Sequence, residues 1–141
     1  MTIQKQAFIN ANPTHQRLYE NYCSASNALS SLNSQCMAAT YTIQRLMIAR
    51  DLVDNARQSA EHCETSESNQ LEALTGNCSD SWDSALFATY KLLTELIYTH
   101  CEAIASHQQA IPPAEQSKAQ ALELLNVTTR QLSEQFNNLP S

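Results

Sequence analysis

Two identical His-Cys-Glu tripeptides, at residues 62–64 and 100–102, are the most prominent candidates for chemistry in this chain. Histidine and cysteine are the commonest zinc ligands. On a helix, however, consecutive side chains diverge by about 100°, and two ligands of one metal need a spacing of three or four residues. No pair of His or Cys residues has that spacing. An antiparallel helix pair joined between the tripeptides would also hold Cys63 and Cys101 about 30 Å apart. We therefore predict no metal site and no cofactor.

Two acidic pairs, Glu61 with Glu64 and Asp80 with Asp83, suggest a second kind of chemistry. This spacing places both carboxylates of a pair on one helical face. The arrangement resembles the one with which all-α nucleotide pyrophosphohydrolases hold magnesium around a phosphate. The competing interpretation, which we favour, is that the Asp pair marks a helix N-terminus and the Glu pair continues a solvated stripe of alternating charge. The members of that stripe are Arg50, Asp54, Arg57, Glu61 and Glu64.

Composition argues against other catalytic classes and against nucleic acid. A single glycine, Gly76, excludes the glycine-rich loops that cradle phosphates. The four histidines, at positions 15, 62, 100 and 107, accompany no motif that would activate a serine or cysteine. The formal charge is −6, and the eight Lys and Arg residues form no cluster that could follow a phosphate backbone. We predict that the protein is not an enzyme and does not bind nucleic acid.

The cysteines and the hydropathy indicate the compartment. Five cysteines, an odd number at irregular spacing, follow an N-terminus without the long apolar stretch of a signal peptide. We expect reduced thiols and a cytoplasmic protein. No window approaches the roughly 18 to 20 apolar residues that a transmembrane helix needs, so we expect no transmembrane segment.

The same composition predicts an all-α fold. Four prolines and one glycine are too few for the turns of a β-sandwich or barrel, and β-branched runs are absent. Asn12 followed by Pro13 is typical of a helix start. Apolar residues at steps of four and three then predict a helix over residues 13–64, with a seam that passes through Ala49 and Ala56. That region is either one helix or two helices broken near residues 30–34, where Ser and Asn concentrate.

Three further segments complete the predicted architecture. We expect a connection at residues 65–79, a strongly apolar helix at 80–110, and a last helix at 113–138 that begins after Pro112 and Pro113 have ended the previous one. The prediction is a single domain over residues 1–141. It is an antiparallel helical bundle of three long or four ordinary helices with coiled-coil-like seams.

The apolar helix carries more apolar width than one neighbouring helix can cover. Its predicted seam contains Trp82, Leu86, Tyr90, Leu93, Ile97, Cys101 and Ile104. The predicted binding residues are Trp82, which belongs to this seam, and Phe87, Leu92, Leu96 and Tyr98, which lie outside it. Either a partner protein, a second copy of the chain, or the last helix must cover them. In the last case Leu122, Leu125, Leu132 and Phe136 would provide the cover.

These features favour a non-catalytic protein-interaction module, such as an adaptor, a secretion-type chaperone, an inhibitor or an immunity-like protein. Its partner would be another protein or the chain itself, in a homo-oligomer. An alternative is an amphipathic surface-coating protein, because the Ala-, Gln-, Ser- and Leu-rich composition of residues 28–110 is similar to that of the phasins that coat polyester granules. The magnesium-dependent nucleotide hydrolase is the third alternative.

Overall fold

A computed structural model describes the backbone of residues 2–75 and 78–140 and the side chains of residues 2–60 and 81–140. It contains three helices, α1 (Ile3–Ala11), α2 (Pro13–Thr75) and α3 (Cys78–Asn137), and no strand within these ranges. The predicted all-α fold is confirmed. None of the described helical stretches is long and apolar enough to cross a membrane.

Side-chain caps begin the first two helices. The Thr2 hydroxyl accepts a hydrogen bond from the Lys5 backbone N–H at 3.3 Å, and Asn12 Oδ1 accepts one from the His15 N–H at 3.1 Å. Each oxygen satisfies a donor that the first turn of a helix leaves without a partner. Pro13, the first residue of α2, has no N–H to satisfy. The predicted helix start at Asn12 and Pro13 is therefore confirmed, but the expectation that it begins the first helix is wrong, because α1 precedes it.

Helix α2 is one helix of 63 residues. It passes residues 30–34 without a break, which decides between the two alternatives for that region. It also continues to Thr75, and α3 begins at Cys78, so the predicted connection at residues 65–79 is wrong. Ser and Thr are only mildly unfavourable inside a helix, and the Glu, Gln and Leu residues among them favour one. Gly76, the expected helix cap, lies outside the described residues.

The predicted helix end at Pro112 and Pro113 is also wrong, because both prolines lie inside α3. Residues 113–138 therefore do not form a separate last helix. Proline fixes φ near −65°, a helical value, but it removes a backbone hydrogen bond and crowds the preceding turn. Both prolines are exposed, whereas their neighbours Ile111 and Ala114 are half-buried. Packing of these neighbours stabilises the helical path that local propensity disfavours.

The chain divides into two compact units. The first comprises Met1–Cys36 and Ser106–Ser141, and its buried apolar side chains are Ile9, Leu125 and Leu132. In this unit the rings of Phe8 and Phe136 lie 5.5 Å apart between centroids. Lys5 Nζ donates a hydrogen bond to Asn137 Oδ1 at 3.1 Å. These contacts pack α1 against the C-terminal part of α3.

The second unit, Met37–Ala105, is an antiparallel helix pair. Arg50 lies over the ring of Tyr90, and Arg57, one helical heptad later on α2, contacts Asp83, one heptad earlier on α3. On α3 seven buried and half-buried side chains lie on one line at steps of three and four, the spacing that was predicted. They are Asp83, Leu86, Tyr90, Leu93, Ile97, His100 and Ile104. The prediction that Trp82 and Cys101 belong to the seam is wrong, because both are exposed and their neighbours Asp83 and His100 take these places. Among the described side chains of this unit, Ile97 is the one apolar side chain that is buried.

The α2 side of this seam differs from the prediction. Arg50 and Arg57 are half-buried members of the three-and-four spacing, rather than part of a solvated flank. Ala49 and Ala56, the predicted seam residues, lie half-buried beside them. The Arg57 guanidinium lies 4.8 Å from the centroid of the Phe87 ring, and that of Arg50 lies 5.8 Å from the Tyr90 centroid. Long arginine stems can line an apolar seam while aromatic faces receive their charge.

Candidate interaction surface

All five predicted binding residues are exposed. Their exposed fractions range from 39% for Leu96 to 65% for Tyr98, with Trp82, Phe87 and Leu92 between these values. The proposed cover by a separate last helix is absent, because residues 113–137 continue α3. Large apolar side chains therefore remain in contact with solvent along residues 82–98.

Helix geometry divides the five residues between the two sides of the seam. With about 100° per residue, Trp82, Leu92 and Leu96 lie on one side of the line through Tyr90 and Ile97. Phe87 and Tyr98 lie about 100° around the helix on the other side. The first three belong to a continuous line at steps of three and four, which we call the docking stripe. Its members are Trp82, Ala85, Thr89, Leu92, Leu96, Thr99 and Ala103.

The docking stripe carries no charged residue, and its two hydroxyl groups are satisfied within α3. Thr89 Oγ1 donates to the Ala85 carbonyl at 2.9 Å, and Thr99 Oγ1 donates to the Glu95 carbonyl at 3.0 Å. A partner that covers these threonines would not strand an unpaired donor, which would cost about 1–3 kcal/mol. The stripe is thus suited to burial although two of its seven members are polar.

A line of mostly small side chains on α2 lies on the same side of this unit. Thr89 directly precedes the seam residue Tyr90, and Ala49 directly precedes Arg50, which contacts Tyr90. In an antiparallel pair of right-handed helices, residues that precede facing seam residues flank the seam on the same side. We call this set the α2 line. Its members are Ala38, Thr42, Arg45, Ala49, Leu52 and Ala56. The spacing of apolar residues alone does not reveal this line, because it places Ala49 and Ala56 in the seam.

The other side of the pair is less suited to an apolar partner. Phe87 is contacted by Arg57 at 4.8 Å and by Lys91 Nζ at 5.7 Å, both measured to the ring centroid. Arg57 also binds Asp83, with Nε 3.4 Å from Oδ1. Phe87 is therefore engaged by charges of its own chain. Of the five predicted residues, Trp82, Leu92 and Leu96 form the coherent apolar surface.

The candidate metal and carboxylate sites fall largely outside the described side chains. This applies to residues 62–64 and to Glu61 and Asp80, so only the second tripeptide, at residues 100–102, and Asp83 can be located. His100 is half-buried in the seam, whereas Cys101 and Glu102 are exposed. Among the side chains of residues 2–60 and 81–140, no three His, Cys, Asp or Glu groups lie close enough to share a metal ion.

A cleft of about 540 Å³ lies in the first unit, between α1, the start of α2 and the C-terminal part of α3. Its amides bind one another or the backbone: Gln6 Nε2 donates to Asn10 Oδ1 at 2.8 Å, and Gln16 Nε2 donates to the Asn10 carbonyl at 3.0 Å. Tyr19 at its rim is hydrogen-bonded to Cys23, and this bond raises the pKa of Tyr19 above 10.0.

No protein-family model matches this sequence. No curated protein and no solved structure is significantly similar to it.

Proposed function

We propose that this chain is a non-catalytic protein-interaction module that binds its partner through the docking stripe and the α2 line, in the cytoplasm. The observation that carries the proposal is that the docking stripe on α3 carries no charge and is exposed from Trp82 to Thr99. An apolar line at steps of three and four is the pattern by which one helix recognises another. It lies beside a seam that is already occupied, so it is available for a second contact.

The energetics indicate how much surface the partner must cover. Burying a large apolar side chain completely is worth about 1.5–3 kcal/mol, and Trp82, Leu92 and Leu96 are already partly buried. Completing their burial therefore contributes roughly 3–4 kcal/mol in total. Association itself costs about 4–15 kcal/mol in lost translational and rotational freedom. The stripe alone does not suffice, so the partner must also contact the α2 line.

The small residues of the α2 line suit such a contact. Ala49 directly precedes Arg50, which contacts Tyr90, and Ala56 directly precedes Arg57, which contacts Asp83. We therefore place both alanines on the same side of the helix pair as Thr89 and Trp82. A partner helix can approach closely where side chains are small. We propose that the partner presents a helix, or a pair of helices, with apolar residues at the same three-and-four spacing.

Paired substitutions test the proposal. Leu92→Glu with Leu96→Glu places two charges on the docking stripe, while Met37→Glu with Ile48→Glu places two charges on exposed apolar positions of α2 outside it. Both variants should keep the wild-type helical circular dichroism. The stripe variant should lose partner capture and self-association, and the control variant should keep them. Unfolding of the stripe variant as a monomer, with no partner captured by the wild type, would assign these residues to the core instead.

A surface-coating protein is the second candidate, because α2 also exposes Met37, Tyr41, Ile48 and Leu52. A coating protein uses all of its apolar surface against a hydrophobic particle. Binding to such particles should therefore weaken in both double variants. An interaction module should respond to the stripe variant alone.

A further inference from the structure

Six of the seven residues of the docking stripe, all except Trp82, have the same order in both directions along the helix. From Ala85 to Ala103 this order reads Ala, Thr, Leu, Leu, Thr, Ala, at positions 85, 89, 92, 96, 99 and 103. The sequence spacing is symmetric as well, and both halves are centred on residue 94. We propose that the partner of the docking stripe is a second copy of this chain, with the two α3 helices antiparallel about a twofold axis beside residue 94. This inference rests on the proposed function and specifies its partner.

A twofold axis perpendicular to α3 pairs each stripe residue from Ala85 to Ala103 with its counterpart at the same distance from residue 94. Leu92 then faces Leu96 of the second copy, and Thr89 faces Thr99. Ala85 faces Ala103 in the outer layer. These pairs also fit the alternating layers of an antiparallel helix pair, in which the two positions of the three-and-four repeat face each other. Large residues meet at the centre, and the smallest meet at both ends.

The charges of the chain permit this contact. Each copy carries a formal charge of −6, but no charged residue lies on the docking stripe. On the α2 line Arg45 is the charged residue, and its guanidinium lies 5.8 Å from the centroid of the Tyr41 ring. A twofold contact juxtaposes identical surfaces, so a stripe free of charge avoids the like-charge repulsion that would oppose it.

The available area meets the lower bound for a specific dimer. Residues 85–103 span about 27 Å of helix, and two helices side by side are about 20 Å wide. The face of the pair then offers roughly 500 Å² per copy, or about 1,000 Å² in the dimer, close to the minimum for a specific interface. The docking stripe and the α2 line must therefore both be buried. Two such helix pairs, face to face, form a four-helix arrangement with a shared apolar interior.

Charge complementation tests both the partner and the register. Leu92→Glu and Leu96→Lys should each weaken self-association by about 100-fold, because each places a charge opposite a leucine. In a mixture of the two variants, the carboxylate introduced by Leu92→Glu in one copy faces the ammonium group introduced by Leu96→Lys in the other. Leu96 of the first copy still faces Leu92 of the second. The mixture should therefore form a heterodimer within about tenfold of the wild-type affinity. Sedimentation velocity of differently labelled chains measures this directly.

Three results would overturn the inference. The first is a wild-type chain that stays monomeric up to roughly 100 µM. The second is a dimer that Leu92→Glu leaves intact, and the third is a mixture that fails to pair. Should a charged variant lose helicity, Leu92→Ala with Leu96→Ala must still weaken the dimer, and unchanged affinity would equally refute it. A last outcome separates this inference from the proposed function. If the wild type is monomeric and captures a different protein, and the variant Leu92→Glu with Leu96→Glu no longer captures it, self-pairing is refuted and the proposed function still holds.

Discussion

Replacement of Pro112 and Pro113 by alanine tests whether α3 continues through both residues. In a continuous helix, two backbone hydrogen bonds are missing at these residues, and each proline ring crowds the turn before it. Both side chains are exposed, so their removal sacrifices little packing. Alanine should restore both hydrogen bonds and stabilise the protein.

The magnitude follows from helix propensity. Proline in a helix interior is about 3 kcal/mol less favourable than alanine. The two rings distort the same turn, so their costs do not add, and we expect a gain of about 4 kcal/mol for the double variant. If the helix instead ended at the prolines, the substitution would only increase the freedom of the unfolded chain. It would then destabilise the protein by about 0.4–1 kcal/mol per proline. The two possibilities differ in sign.

Urea unfolding followed by circular dichroism at 222 nm measures the change in the free energy of unfolding. The matched control is Pro13→Ala at the first position of α2, where a proline removes no helical hydrogen bond. That variant should stay within about 0.5 kcal/mol of the wild type. A double variant that is less stable than the wild type would refute the continuous helix.

Three further predictions concern the two units separately. Ile9→Ala should destabilise the protein by about 2–4 kcal/mol in urea unfolding, because Ile9 is fully buried, while Ile3→Ala, at an exposed position, should change stability by less than about 0.5 kcal/mol. Arg57→Ala should lower the free energy of unfolding by about 1–2 kcal/mol, because packing of the arginine stem and a cation–π contact are lost. High salt should reduce this difference between variant and wild type only slightly, and a difference near zero would refute the place of Arg57 in the seam. Cys23→Ala should lower the pKa of Tyr19 towards 10.0 in a tyrosinate absorbance titration. Since folding raises this pKa, the associated stability is present below pH 10 and is lost as pH rises through the folded pKa, and an unchanged titration would contradict the hydrogen bond.

The fold class and the helix start at Pro13 were predictable from the sequence, but the helix boundaries expected at residues 65–79 and at Pro112 and Pro113 were wrong. Local propensity favoured a break at Pro112 and Pro113, whereas seam continuity favoured none. His107, Ile111 and Ala114 keep the three-and-four spacing across the prolines, and all three are half-buried. The signal for a continuous helix was therefore present in the sequence. Whether the helix continues depends on whether burial of these seam residues contributes more free energy than the two prolines cost. The extent of that burial is known only from the packed structure.

The seam itself shows a different limit. Counting apolar residues assigned Ala49 and Ala56 to the seam and placed Arg50 and Arg57 in solvent. Two aromatic residues on α3 reverse this assignment, because each offers a ring face to an arginine. The sequence of α2 alone does not contain this information. It becomes visible only once the register of the antiparallel pair aligns each arginine with its ring.

This register also shows which of the exposed apolar residues lie together on one flank of α3. Surplus apolar width predicted Trp82, Phe87, Leu92, Leu96 and Tyr98 together, because without a seam position the two flanks of α3 cannot be distinguished. With Arg57 in the seam, Phe87 becomes part of an intramolecular contact, and the uncharged flank stands alone. The symmetric order Ala, Thr, Leu, Leu, Thr, Ala is a property of the sequence, but it has a physical meaning only on that flank. On that flank no described residue of the second unit covers the symmetric residues. An antiparallel copy of the same helix would pair leucine with leucine, threonine with threonine and alanine with alanine.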